Sequence, residues 1–454
     1  MNHLGIEVKL SNTPVYDPGF IPMALFNKAF LKQAKKPIAI CVERTDGLRT
    51  VHSTHITGTN QEADRYFVER MVKFLLWARG GYKVIICGDE GIAAYIKEAF
   101  SPTGKNAFDN TTMTRVYEKP FEVQSLPLEE TPPENEASKP VGGKTDGCRI
   151  GFDAGGSDRK VSAVIDGEAV FSEEVVWHPK ITPDPDYHFE GIVSAMKTAA
   201  SKMPRVDSIG VSSAGIYINN RTMLASLFLK VSPEDFDKKV KDIYIRAAKE
   251  IGDVPLAVVN DGDVTALAGA MEFNDYNVLG IAMGTSEAGG YVDENGHIKG
   301  WLNELAFAPV DASPTAMEDE WSGDIGCGVK YFSQDGVIKL AQNAGITFAD
   351  GMSPGEKLKQ VQDMMADPAH KDMICDIYRS VGCYLGHTLP YYWDMYGFKH
   401  VLLLGRVMSG EGGNIILDVA KKVIAEEYAD YTFNMHTPDE KARRVGQSVA
   451  AASL

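Results

Sequence analysis

Alternation and helical spacing of apolar residues divide the chain into two stretches of α/β character separated by a polar gap. Pro37–Val42 and Arg49–Ile56 read as strands, and Tyr82–Cys87 as a strand buried on both faces. Between them, Gln61–Ala78 places Phe67, Val68, Met71, Phe74 and Leu75 at helical spacing. A short helix is expected at Gly91–Phe100 and a strand near Met113–Tyr117. Residues 128–147 are rich in Pro, Glu, Gly and Ser and nearly devoid of core formers, which predicts a linker. Beyond it the pattern predicts strands at Cys148–Ile150, Val161–Ile165, Ser208–Ser213, Leu256–Asn260, Tyr276–Met283, Gly289–Val292 and Val401–Leu404. Asp293-Glu294-Asn295-Gly296 is a hairpin signal leading to one more, Ile298–Trp301. Amphipathic helices fill the gaps, among them Val264–Ala270 and Ile415–Tyr428. The expected architecture is two α/β lobes with a cleft between them, 148–265 and 266–454, preceded by an α/β unit at 1–127.

Composition narrows the class. The chain has 454 residues, 44% hydrophobic and 24% charged, which suits a globular protein of two or three domains. A net charge of −16 argues against a nucleic-acid partner, because phosphate backbones call for excess Lys and Arg. No run of 18 apolar residues predicts a membrane span, and the N-terminus lacks the plan of a signal peptide. Six scattered cysteines with no CxxC pair fit reduced thiols, so a cytoplasmic location is expected.

Four polar or glycine-rich points fall at strand ends, where open α/β sheets bind ligands. Asp153-Ala154-Gly155-Gly156-Ser157 joins two strands; it is either a plain turn or a hairpin tip that wraps a phosphate. In the second reading Gly155 and Gly156 bring N–H groups close to an anion, Ser157 donates, and Asp153 holds a hydrated Mg²⁺. Ser208–Ser213 runs into Ala214-Gly215, and Leu256–Asn260 delivers Asn260-Asp261-Gly262-Asp263 to a helix start. Asp263 or Asp261 there caps the helix, or the paired Asn260-Asp261 binds a hydroxylated substrate, the amide donating and accepting and the carboxylate taking a hydroxyl proton. Gly284-Thr285-Ser286 forms a second phosphate-type turn. Gly405-Arg406-Val407, followed by Gly412-Gly413, forms a fourth point, a plain loop or a floor for adenosine. Gly143-Lys144-Thr145 is not a Walker A loop, since Ser138 stands where its first glycine belongs and no strand precedes it.

Taken in this order, the motifs of residues 148–454 resemble those of the ROK (repressor, ORF, kinase) family of actin-like sugar kinases. Asp153-Ala154-Gly155-Gly156-Ser157 matches the family's phosphate hairpin with Ser in place of Thr. Asn260-Asp261 matches its catalytic pair, and Gly284-Thr285 its Gly-Thr-Gly motif with Ser286 in the third place. Glu304 matches the sugar-binding Glu, and Gly405-Arg406-Val407 loosely matches a Gly-Gly-Val segment. Two elements depart. The Glu-x-Gly-His motif becomes Glu304-Leu305-Ala306-Phe307, and one cysteine, Cys327, remains of the zinc motif, so no structural zinc is expected.

The resemblance implies a ribonuclease H-like, actin-like ATPase fold and ATP-dependent phosphorylation of a sugar. Asp261 would be the general base, with Asn260, Glu304 and Gly215 at the sugar. Asp153, Gly155, Gly156, Ser157, Gly284, Thr285, Gly405, Gly412 and Gly413 would hold ATP and Mg²⁺. It also implies a homodimer. The rival reading is a sugar sensor without turnover; an actin-kind ATPase has no need of the Asn-Asp pair and Glu304. DNA regulation finds no support in residues 1–127, which show no basic recognition helix. That unit is read as a scaffold or oligomerisation element, with a degenerate copy of an actin-like lobe as one origin.

Overall fold

The computed structural model describes residues 1–136, 141–438 and 446–454. Residues 137–140 of the expected linker, Ser138 included, and residues 439–445 lie outside the described residues. Helix α1 (Met23–Leu31) precedes a four-stranded sheet with order β2-β1-β3-β4. Its strands are β1 (Lys36–Glu43), β2 (Arg49–Ile56), β3 (Lys83–Cys87) and β4 (Glu122–Leu126). Helices α2 (Gln61–Ala78), α3 (Glu90–Ala99) and α4 (Ala107–Tyr117) accompany it. Asn60 caps α2 by accepting from Ala63 N, and Asp89 caps α3 by accepting from Ile92 N.

Helix α4 corrects the strand expected at Met113–Tyr117. Met113, Val116 and Tyr117 do lie at helical spacing, but the preceding turn puts Asp109 and Asn110 at buried positions, which hides the period from a hydropathy reading. The sheet also rules out a copy of an actin-like lobe. Strand β1 pairs antiparallel with β3, whereas the lobe described next pairs its first strand in parallel across the helix.

The small lobe is built on β5 (Cys148–Ala154), β6 (Asp158–Ile165), β7 (Glu168–Val176), β8 (Ser208–Ser213) and β9 (Leu256–Asn260). The order is β9-β8-β5-β6-β7, with β5, β6 and β7 antiparallel neighbours and β5, β8 and β9 parallel. Helix α5 (Pro185–Ala200) packs on it, and α6 (Asp261–Phe273) leaves its β9 end. The large lobe carries β10 (Val278–Met283), β11 (Glu287–Val292), α7 (Lys371–Tyr396), β12 (His400–Leu404), α8 (Gly410–Glu427) and β13 (Asn434–His436). Its sheet runs β11-β10-β12-β13. Ile298 forms a single bridge to Val141 instead of the expected strand, because Gly296 and Gly300 on either side take left-handed backbone.

Core packing redraws the expected boundaries. One continuous cluster runs from Ile6 through α2 to Ala420, joining residues 1–127 to the large lobe, while the small lobe has its own. The boundary at 127 therefore marks a change of sheet, not of core. The expected linker is also partly built in: Glu136 pairs with the buried Arg44 at 2.5 Å and accepts from Trp301 Nε1 at 2.9 Å. The C-terminal helix α9 (Gly446–Ala452) returns to the small-lobe sheet, though it was expected with the large lobe. A Cβ on Gly151 would stand 1.7 Å from Ser448 O, and one on Gly210 1.7 Å from Ala451 O, so glycine is what permits that approach. Among the described residues, no helix is long and apolar enough to cross a membrane.

Candidate active site

Parallel pairing of β5, β8 and β9 brings three strand ends side by side. The register matches Asp153 with Ser212, Ala154 with Ser213, and Ser213 with Asn260. Asp153 and Asn260 are thus two strands apart, about 10 Å at ordinary sheet spacing. Asp153 is buried, and burial pushes its carboxyl up to about 6 against the opposing pull of the Ser212 hydroxyl, which donates to Oδ1 at 2.9 Å, and of Lys160. The tip beyond it, Gly155-Gly156-Ser157, comes to the surface, with Gly156 and Ser157 exposed. A Cβ on Gly155 would stand 2.6 Å from Asp158 O, so glycine sets the tightness of this turn. Trp177 Nε1 donates to Gly155 O at 2.7 Å and fixes the tip from below. The like charge of Asp158 is met by Lys160 at 3.0 Å.

Asn260 caps α6 and ties it to the neighbouring loop. Its Oδ1 accepts from Gly262 N at 2.7 Å, and its Nδ2 donates to Gly215 O at 2.8 Å. Gly215 takes a φ of +140°, and a Cβ there would stand 2.3 Å from Leu224 O, so this contact depends on glycine. With Asn260 doing the capping, Asp261 is released from that role. It is half-buried at the first position of α6, and burial raises its carboxyl above the usual range, partly offset by the Gly262 amide and by Lys180.

By sequence Asp263 is a candidate cap. The structure makes it an anchor instead: its Oδ1 accepts from Tyr291 N at 3.0 Å and from Asn303 Nδ2 at 2.8 Å. Tyr396 OH in turn donates to Asn303 Oδ1 at 2.9 Å. Burial, opposed by these two hydrogen bonds, leaves the Asp263 carboxyl at about 7. Glu304 follows directly. It is half-buried, and among the described residues its carboxyl has no hydrogen-bond partner. Burial, then the charges of Asp261 and Asp263, push it up to about 7. Asp261, Asp263 and Glu304 therefore share one electrostatic site.

The backbone of Glu304 is held by the N-terminal unit. The last turn of α2 offers its free carbonyls: Ala78 O accepts from Asn303 N and Trp77 O from Glu304 N, both at 3.0 Å. The Trp77 ring lies 4.3 Å from that of Phe307. Beneath them Asp324 takes Arg70 Nη1 on Oδ1 at 2.8 Å and Lys73 Nζ on Oδ2 at 3.1 Å, and the Cys327 thiol donates to the same Oδ2 at 3.3 Å. Lys73 also reaches Asp109 at 3.0 Å. This is the region that the sequence resemblance matches to a zinc motif. A carbon ring at 307, one thiol, and a carboxylate saturated by two cations do not fit a zinc ion. Replacing Lys73 by Met leaves Asp109 and Asp324 short of a buried cation; a loss of about 3–5 kcal/mol is expected in denaturant unfolding.

The second turn, Gly284-Thr285-Ser286, joins β10 to β11 with Thr285 and Ser286 exposed. Arg406 Nη2 donates to Thr285 Oγ1 at 3.2 Å, which brings the third and fourth sequence motifs together. Gly405 is required by packing, since a Cβ there would stand 2.3 Å from Met283 O. Gly412 and Gly413, read from sequence as a nucleotide floor, are buried in α8. A Cβ on Gly412 would strike the Tyr378 ring at 2.5 Å, and one on Gly413 would strike Met408 O at 2.0 Å, so packing accounts for glycine at both.

Glu287, which begins β11, carries no signal in the sequence beyond an acid inside an apolar run. It is 3% exposed, and among the described residues no cation or well-formed hydrogen bond meets its carboxyl; the Tyr392 hydroxyl beside it, itself without a well-formed partner, offers the one weak opposing pull. Burial pushes the carboxyl up to about 8. Because this lies above the ordinary Glu value, the folded state keeps a proton that the unfolded chain loses. Stability is then full at acid pH and falls as pH rises through about 8, by up to about 1.4 kcal/mol per pH unit for one such group. Thermal unfolding followed from about pH 6 to about pH 9 should show a decline in Tm that Glu287→Gln makes shallower.

The sequence matches no family model and no curated protein. Solved structures do match. A ROK hexokinase from Thermus thermophilus is similar with a TM-score of 0.51 at 17% identity, covering 67% of this chain and 97% of that one. The chain has the two-lobed fold of the ROK sugar kinases. A ROK glucokinase from Streptomyces griseus, solved with glucose and AMPPNP, is 19% identical over 67% of this chain and 98% of that one, with a TM-score of 0.48. The ROK fold accounts for the lobe sheets and the cleft. The α2 support beneath Glu304 is built from residues of the N-terminal unit.

Proposed function

We propose that the protein is an ATP-dependent carbohydrate kinase in which Asp261 is the general base. The observation that carries this reading is the placement of Asp261. Its charge acts on both Asp153 and Glu304, Asn260 relieves it of capping, and burial makes its carboxyl more basic. A sugar hydroxyl oriented by Glu304 gives its proton to Asp261 as its oxygen bonds to the γ-phosphorus. The bond from phosphorus to the β,γ-bridging oxygen breaks, and ADP leaves. The Gly155-Gly156-Ser157 and Gly284-Thr285 turns receive the phosphates. Arg406 steadies the second turn and adds positive charge.

Asp153, buried and bonded to Ser212, suits a role toward Mg²⁺ through water. Bound there, the ion would neutralise part of the phosphate charge. Phe307 gives one wall of the acceptor site an apolar face where the family has histidine, which favours acceptors that do not need a hydrogen bond at that corner. Release of ADP from Mg-ATP across a panel of free hexoses and N-acetylhexosamines tests the reading. Sugar-dependent release is the expected result. Sugar-induced thermal shifts without ADP release from any of them would instead make the protein a sensor on a kinase fold.

A further inference from the structure

The site gathers Asp153, Asp261, Asp263 and Glu304 around the place where a polyphosphate must enter. A polyanion in that field needs cationic charge from the protein as well as from a metal ion. Two of the nearby cations are already engaged: Lys160 pairs with Asp158 at 3.0 Å, and Arg406 bonds Thr285. Lys180 is different. It stands on the short turn Pro179–Ile181, between β7 and α5, and its side chain lies across the first hairpin tip. A Cβ on Gly156 would meet Lys180 Cε at 2.6 Å and Nζ at 2.9 Å. The lysine tail thus occupies the space that a side chain at 156 would take. Among the described residues, no carboxylate stands within ion-pair distance of its ammonium. Its charge nevertheless reaches Asp261, whose carboxyl it draws back toward ionisation.

The mount is fixed. His188, fully buried on α5, bridges Asp184 O at 2.9 Å and Pro179 O at 3.0 Å. Thr182 closes the turn by donating its backbone N–H to Pro179 O and its hydroxyl to His178 O. A rigid turn therefore presents an unpaired ammonium, on a flexible four-carbon stem, between a glycine tip and the proposed base.

We propose that Lys180 is a catalytic residue whose ammonium contacts the terminal phosphate of a nucleoside triphosphate held at the Gly155-Gly156 tip. Its part in transfer rests on the kinase reading; its contact with the triphosphate does not. As the acceptor oxygen bonds to the γ-phosphorus and the bond to the bridging oxygen breaks, Lys180 keeps its protons and donates hydrogen bonds to the phosphoryl oxygens. The acceptor proton goes to Asp261, and the bridging oxygen leaves with ADP.

The test compares wild type, Lys180→Met and Lys180→Arg in two measurements. One is the affinity for Mg-AMPPNP relative to Mg-ADP, by calorimetry without sugar. The other is kcat and KM for the best sugar of the panel. In Lys180→Met the preference for AMPPNP over ADP should fall about tenfold, and kcat by about 10²-fold or more with sugar KM within a few-fold. Lys180→Arg should recover part of both. An unchanged kcat in Lys180→Met overturns the catalytic role whatever the affinities do. Absence of turnover in wild type is a failure of the kinase reading, and the affinity ratio then decides: a fall sustains the contact, and an unchanged ratio overturns it.

Discussion

Removal of residues 1–127 is expected to leave the rest of the chain unable to fold. The N-terminal unit covers one face of at least six large-lobe side chains: Leu302, Phe307, Tyr331, Tyr384, Tyr391 and Tyr392. Their partners are Gly80, Phe20, Phe74 and Trp77 of the N-terminal unit. Full burial of such a side chain contributes about 1.5–3 kcal/mol, so exposing half of each loses about 5–9 kcal/mol. The buried Asp324 would also lose Arg70 and Lys73, at about 3–5 kcal/mol more. Together these approach the whole stability of an ordinary domain, about 5–15 kcal/mol. Backbone contacts go as well: Met23 N donates to Val310 O, and Ala312 N donates to Ile21 O. A 128–454 fragment should therefore be insoluble or melt without cooperativity. A soluble fragment with one sharp thermal transition would show that the shared core is dispensable.

The second large effect is at Asp261. Asp261→Asn keeps the shape of the first turn of α6 but cannot accept a proton from a sugar hydroxyl. Turnover should fall about 10²–10⁴-fold, with Tm and nucleotide affinity close to wild type. Because burial raises this carboxyl, the acidic limb of kcat/KM in wild type should lie above the ordinary carboxylate range. The sign follows from the base being active only when ionised: rate rises with pH through the raised value, then levels. A limb at the ordinary aspartate value, or an Asn variant with full turnover, would remove Asp261 from the proton transfer.

Local signals in the chain were enough for the lobes. The strands that close on Asp153-Ala154, Ser213 and Asn260 are apolar runs with polar ends, and their parallel register brings those ends together. Glycines were legible as turns, but their reasons were not. Gly412 and Gly413 answer to Tyr378 and Met408, partners that lie beyond a local reading of the α8 motif. Lys180 was equally hidden, because nothing in Pro179–Ile181 announces that the turn folds over Gly156. Helix α4 was misread because Asp109 takes a core position that only Lys73 and Trp77, on another helix, make tolerable. The same long-range pairing explains the N-terminal unit. Its role under Glu304 depends on Arg70, Lys73 and Trp77 meeting residues more than 200 positions away.

Transfer of a phosphoryl group to a sugar with Asp261 as base leaves a phosphate ester as product. Phosphorus NMR of wild type and Asp261→Asn, each incubated with Mg-ATP and the panel sugars, reads it directly. A sugar phosphate ester signal should grow with that of ADP in wild type and be nearly absent in the variant. Inorganic phosphate as the sole product, or an ester formed equally fast by both proteins, would contradict it.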